Sequence, residues 1–208
     1  YTDPYSNKVI DVSKTTAAIW AGCCGSQGGT ALAEILNGTI NPSGHLVDTY
    51  ARNLTKDPSY QNFGSYLYTN SAELNSYQQE TYFVEYEEGI YVGYRYYETA
   101  AYEASQSNYA GFDYDTSVIY PFGYGLSYTT FTTEYDATPT YDSTTGDYTF
   151  KVKVTNTGSV AGKGVAQIYV NAPYISGGVE KAHVVLGGYG KTEILQPNAS
   201  ETLTIDIN

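Results

Sequence analysis

From residue 131 onward, apolar and polar positions alternate with a period of two. Phe150, Val152 and Val154 fall on one side, and Lys151, Lys153 and Thr155 on the other. Ala166, Ile168 and Val170 alternate with Gln167 and Tyr169, and Leu203, Ile205 and Ile207 with Thr202, Thr204 and Asp206. Successive side chains of a strand point to opposite faces, so this pattern predicts half-buried antiparallel strands. Turn signals such as Asn156-Thr157-Gly158 separate the runs at the spacing of a β-sandwich. Roughly five strands are expected, where a sandwich normally has about seven.

The N-terminal half has a different rhythm. Residues 1–16 are polar and irregular. Ala17-Ala18-Ile19-Trp20-Ala21 is an unbroken apolar run, which predicts a strand covered on both faces. A glycine-rich turn follows over Gly22–Gly29, then a short helix over Thr30–Leu36 closed by Asn37-Gly38. Asn41-Pro42-Ser43-Gly44 predicts a turn and Leu46-Val47 the start of another strand. Residues 51–80 read as a long polar surface excursion, 81–98 as a segment dense in Tyr and Glu, and 99–117 as loop. Tyr120–Tyr128 is a turn-rich hinge. One α/β unit cannot by itself form a covered parallel sheet, so both architectures read as incomplete.

Composition narrows the function. The 208 residues carry 10 Lys+Arg against 22 Asp+Glu, a net charge of −12. That balance argues against a nucleic-acid phosphate partner and an anionic membrane surface. No run approaches the ~20 apolar residues of a transmembrane helix. The chain has no Met and starts at Tyr1, which predicts a piece of a longer product. Its 25 Tyr suit sugar faces and wet interfaces, and equally an ordinary β-sandwich surface. Cys23 and Cys24 are adjacent, with no His at zinc spacing; they are expected as reduced, partly buried thiols.

Four patterns invite chemistry. Ser26 lies in the glycine turn, but Cys24 stands where a nucleophile elbow needs Gly. The only His residues are His45 and His183, in separate architectures. Glycine spacing in Gly22–Gly29 is also wrong for a dinucleotide loop. Gly190-Lys191-Thr192 resembles the end of a phosphate loop, yet Val185 occupies the first glycine position. Glu80, Glu85, Glu87 and Glu88 cluster beside aromatic residues. Paired carboxylates among aromatics serve glycoside hydrolysis, but a solvated acidic strand edge is the favoured reading. Asn37-Gly38-Thr39, Asn53-Leu54-Thr55 and Asn198-Ala199-Ser200 are glycosylation triplets only in a secretory context.

Five blocks together resemble glycoside hydrolase family 3, the β-glucosidase and β-xylosidase family. They are Ile19-Trp20-Ala21-Gly22 with Gln27–Gly38, Asn41-Pro42-Ser43-Gly44, Tyr86–Tyr97, Tyr120–Phe131, and Asn156–Gly158 with Val160–Gly162 and Val165–Val170. The resemblance implies α/β plus all-β architecture: a partial α/β sandwich domain over 1–98, a connector over 99–130, and a fibronectin type III-like β-sandwich over 131–208, both truncated. It further implies a retaining, exo-acting β-glycosidase whose catalytic Asp lies in a separate barrel and whose acid/base Glu lies upstream of Ile19-Trp20. No catalytic residue is therefore assigned here, no metal and no cofactor, and substrate-binding residues stay unknown. Expected partners are a β-linked oligosaccharide or glycoside and the remaining barrel domain. Cys23-Cys24 stand where the family often has an aromatic residue and Pro, and His45 where it often has Arg. Compartment cannot be read from cysteine; an extracellular location is favoured over a cytoplasmic one. A non-catalytic carbohydrate-binding module and a self-associating module remain as alternatives.

Overall fold

The computed structural model describes residues 15–64, 66–74 and 80–208. They fall into two compact units that divide between Ile40 and Asn41. The polar stretch predicted at 1–16 lies almost wholly outside the described residues, as do parts of the 51–80 excursion.

The first unit is built on one helix, α1 (Gly28–Leu36). Ala31, Leu32, Ala33, Ile35 and Leu36 are strong or acceptable helix formers. The helix ends as expected: Asn37 N–H donates to Ala33 O, and Gly38 at φ +80° donates to Ile35 O. No residue of α1 is buried. The strand expected at Ala17–Ala21 does not form, and Trp20 is 75% exposed. A fully covered strand requires neighbours on both edges, and among the described residues none pairs with this segment. Cys23 and Cys24 are free, as expected, but exposed rather than partly buried.

The second unit opens with short elements. The strand expected at Leu46-Val47 instead starts at β1 (Tyr50–Ala51). Leu46 is already engaged with the hinge: its N–H donates to Tyr124 O, and Gly123 N–H donates to its carbonyl. A 3-10 turn (Leu54–Lys56), α2 (Pro58–Asn62), β2 (Tyr66–Leu67), α3 (Ser71–Leu74) and β3 (Tyr82–Phe83) follow. The loop expected over 99–117 is largely helical: α4 spans Tyr94–Ser105 and α5 Tyr114–Ser117. Tyr97 and Ala100, three apart, form the buried stripe of α4. The Tyr97 hydroxyl reaches Asp57 Oδ2 at 3.1 Å, while Asp57 Oδ1 caps α2 through Ser59 N–H. β4 (Val118–Tyr120) then pairs with β1.

The remaining strands are β5 (Phe131–Tyr135), β6 (Thr140–Tyr141), β7 (Tyr148–Asn156), β8 (Val165–Val170), β9 (Val185–Lys191) and β10 (Ser200–Ile207). Six strands thus form where five were expected. β7 is the hub of an antiparallel sheet ordered β10-β7-β5, with β6 also on β7; β8 and β9 pair separately. The two sheets share one core: Val152 and Val154 of β7, Leu203 and Ile205 of β10, Ala166 and Ile168 of β8, and Leu195. The alternation predicts these faces correctly. It fails at Val170, which is 40% exposed, because the register of β8 shifts between Ile168 and Tyr169. Gly188 lets the sheets approach, since a Cβ there would lie 2.7 Å from Ile205 Cγ2. The outer face carries matched pairs: Thr155–Ser200, Thr149–Asp206 and Lys153–Glu134.

Asn156 closes β7 and is fully buried. Its Oδ1 accepts from Thr129 Oγ1 at 2.7 Å and Gly158 N–H at 3.0 Å. Its Nδ2 donates to Val160 O at 2.8 Å and Leu195 O at 2.9 Å. Asn156→Ala removes the partner of the Thr129 hydroxyl, Gly158 N–H and Val160 O, while Leu195 O keeps the Gly162 N–H; each group left unpaired and dry costs about 1–3 kcal/mol. We expect a loss of about 3 kcal/mol in urea unfolding, with the exposed Thr204→Ala shifting by less than about 0.5 kcal/mol. Equal midpoints for the two variants would refute this role.

Candidate functional site

Two regions of the second unit concentrate polar side chains. The first is a clasp around the 41–46 turn. Asn41 Oδ1 accepts from Ser127 Oγ and Tyr128 N–H, and its Nδ2 donates to Ala161 O. Lys191 Nζ donates to Ser43 O at 3.0 Å and lies 3.2 Å from Ser43 Oγ. His45 Nδ1 sits 3.2 Å from Ser43 O. Space is tight: a Cβ on Gly125 would lie 2.5 Å from Gly44 O, and one on Gly162 2.5 Å from Asn41 Nδ2. These contacts occupy the clasp's polar atoms with each other, so it is a structural joint. They also dispose of the phosphate-loop pattern. Lys191 is held by Ser43, and Thr192, 1% exposed, accepts from Gly164 N–H and donates to Glu193 O.

The second region is an open cleft of about 1260 Å³. One wall is α4, presenting Tyr96, Thr99, Tyr102 and Glu103; the second is the turn at Glu87–Tyr91; the third is the β8–β9 connection, residues 171–183. Ala100 and Ala182, each 4% exposed, form the floor. The walls are tied together. His183 N–H donates to Thr99 Oγ1 at 2.9 Å, and the His183 ring stacks on Tyr102 with centroids 4.0 Å apart and planes 9° apart. Asn171 Nδ2 lies 3.0 Å from His183 Nδ1. Tyr91 hydroxyl donates to Glu180 Oε2, and Lys181 Nζ to Pro173 O.

This geometry sorts the acidic residues. Glu87 and Glu88 line the cleft together with Glu103 and Glu180, which sequence reasoning did not single out. Glu80 is not on the cleft: it accepts from the Tyr82 hydroxyl. Glu85 is exposed and also off the lining. Asn62 donates to Glu88 Oε2 at 2.7 Å and holds its carboxyl below the usual carboxylate range. Glu103 and Glu180 could not be found from spacing, because a helix and a distant loop bring them together. Ser26 is an exposed turn residue leading into α1. The three glycosylation triplets have exposed asparagines; Asn37 and Asn53 accept from the backbone N–H two residues on. Among the described residues no group of three or more His, Cys, Asp and Glu could hold a metal. No helix among them is long and apolar enough to cross a membrane.

Comparison with known proteins decides the family. The family model described as "Glycosyl hydrolase family 3 C-terminal domain" matches residues 3–94. Residues 3–94 carry the C-terminal domain of glycosyl hydrolase family 3. It is 40% identical to Beta-glucosidase A of Butyrivibrio fibrisolvens over 95% of its own length and 22% of that protein's. It is 38% identical to a beta-glucosidase of Ruminococcus albus, covering 91% of this chain and 16% of the relative. Among solved structures, the beta-glucosidase of Paenibacillus barengoltzii superposes with a TM-score of 0.67 at 38% identity, covering 86% of this chain and 16% of that one. Beta-glucosidase 3B of Thermotoga neapolitana gives 0.65 at 36%, covering 88% and 22%. The chain thus spans about a fifth of the length of the curated relatives it matches.

Three phenols of the second unit, Tyr91 on the cleft and Tyr97 and Tyr114 off its lining, respond to burial and to carboxylate partners. Tyr91 is pushed up to about 12, first by its hydrogen bond to Glu180 and then by burial. Burial, followed by Asp57, raises Tyr97; burial, followed by Glu98, raises Tyr114. An unfolded Tyr titrates near 10. A raised native pKa means the native state holds its proton longer. The Tyr91 contribution is therefore complete below about pH 10 and lost as pH rises from about 10 to 12. Carbon-13 tyrosine NMR should show Tyr91 still protonated at pH 10.5, and Glu180→Ala should return its midpoint toward 10. An unchanged midpoint in that variant would remove Glu180 as the cause.

Proposed function

We propose that this chain is the non-catalytic C-terminal scaffold of a retaining, exo-acting β-glucosidase. The observation that carries the reading is alignment along nearly the whole chain with beta-glucosidases four to six times longer. Retaining hydrolysis requires a carboxylate nucleophile and a carboxylic acid about 5–5.5 Å apart across the glycosidic bond. No residue here is assigned either role. Glu88 supports that: its carboxylate accepts from Asn62, and that bond holds the carboxyl below its ordinary value, which opposes the raised pKa a proton donor requires.

The remainder of the longer enzyme, including its barrel, is the natural partner. α1 buries none of its Leu and Ile side chains, and Trp20, Leu36 and Val47 are 75%, 67% and 77% exposed. Apolar surface of that extent on an α/β element is covered by further strands and helices in a complete layer. The domain division 1–98, 99–130 and 131–208 belongs to the same proposal, with the last segment as a fibronectin type III-like sandwich. Its two sheets over one core favour that assignment.

Thermotoga neapolitana beta-glucosidase 3B has been solved in complex with glucose, which favours a β-glucoside as the substrate of the longer enzyme. The pure 208-residue chain should show no turnover of an aryl β-glucoside above the buffer rate. Measurable, enzyme-concentration-dependent release of the aryl group would reject the scaffold reading.

A further inference from the structure

We propose that the cleft between α4 and the β8–β9 connection binds a neutral oligosaccharide, independently of any hydrolysis. Its size comes first. At about 1260 Å³ it exceeds the ~300–1,000 Å³ of common small-molecule pockets, so it has room for more than one sugar ring.

Chemistry selects the ligand. A pyranose offers a flat C–H face and a rim of hydroxyls that each donate and accept. Tyr102, 42% exposed, is backed on one face by the His183 ring, which holds it rigid, and Tyr174, 56% exposed, stands on the opposing loop. Aromatic faces of this kind are well suited to apolar C–H surfaces. Acceptors and donors are interleaved around them. Glu103 uses Oε2 on Asn108, and Glu180 uses Oε2 on Tyr91. Pinning one oxygen of each carboxylate fixes the direction of the other, which is set to accept from hydroxyls. Lys181 and Asn171, on the same loop, supply N–H donors.

Competing ligands fit less well. An anionic ligand would meet four lining carboxylates and a net charge of −12. A cationic ligand would satisfy the carboxylates but would meet the like charge of Lys181 and offer its cationic group no use for the remaining N–H donors of Lys181 and Asn171. A neutral polyol uses both sets. Ties between the walls, Thr99 to His183 and Tyr91 to Glu180, hold the Tyr102 face and the acceptors in one arrangement before ligand arrives. That reduces the ordering cost of binding.

The test is a nitrogen-15 and carbon-13 tyrosine NMR titration of the full 208-residue chain with cellotetraose, beside the cationic glucosamine tetramer. Saturable shifts confined to Tyr102, Tyr174 and Asn171, with a Kd near or below about 1 mM, are expected. Tyr102→Ala and Glu180→Gln should each weaken binding by about tenfold, while Tyr135→Ala, outside the cleft, should not. If Tyr102→Ala fails to fold, Tyr174→Ala, on the exposed loop, carries the same expectation. No saturation, shifts scattered outside the cleft, or tighter binding of the glucosamine tetramer would each overturn the proposal.

Discussion

The second unit depends on the carboxamide of Asn156. It is a buried polar group with every hydrogen-bonding position used: two donors reach its oxygen and two carbonyls take its N–H groups. Its backbone is used too, with its N–H donating to Ala199 O and its carbonyl accepting from Asn198 N–H. One residue therefore fixes the end of β7, the turn at 158–160, Leu195 and the entry to β10. A buried amide left unpaired would cost more than any single contact here gains, so the surrounding chain has one low-energy route. Thr129 is the outward link. It lies two residues beyond Ser127, which Asn41 holds along with Tyr128 N–H. Two asparagines in series thus connect the 41–46 turn to the sandwich core.

That arrangement explains which features were legible in the sequence. Period-two alternation in β7 and β10 is a local signal, and the buried set Val152, Val154, Leu203 and Ile205 follows from it. The Asn37-Gly38 helix end is likewise local, since its chemistry is complete within four residues. Phosphate-loop and nucleophile-elbow patterns could be set aside for equally local reasons of spacing. Gly158 read as a turn signal and Gly162 only as part of a family block, yet Gly162 is required by Asn41, far away in the chain.

Where sequence reading failed, the determining partner was remote. α4 was hidden because its buried stripe is only Tyr97 and Ala100, and the rest of it mixes Tyr, Arg, Glu, Thr, Ser and Ala. Such a composition gives no strong helical period. What supports it is non-local: the Tyr97 phenol on Asp57, and Thr99 and Tyr102 on His183. The Ala17–Ala21 run failed in the opposite sense. Its hydrophobicity is a correct signal of burial, but burial is supplied by neighbours, and none among the described residues pairs with it.

The acidic cluster shows why proximity in sequence is weak guidance to chemistry. Four glutamates within nine residues looked like one group, yet they separate into Glu80 on Tyr82, Glu85 in solvent, and Glu87 and Glu88 on a cleft completed by Glu103 and Glu180. Charge on a surface is inexpensive and scatters freely; charge whose geometry is fixed must be held by a donor. Asn62, Asn108 and Tyr91 hold Glu88, Glu103 and Glu180 in that way. Each bond pins one oxygen of its carboxylate and so fixes the direction in which the other oxygen accepts. Glutamates held this way are suited to recognising hydroxyls. The fixed donors, rather than the charges alone, are therefore what equips the cleft for binding.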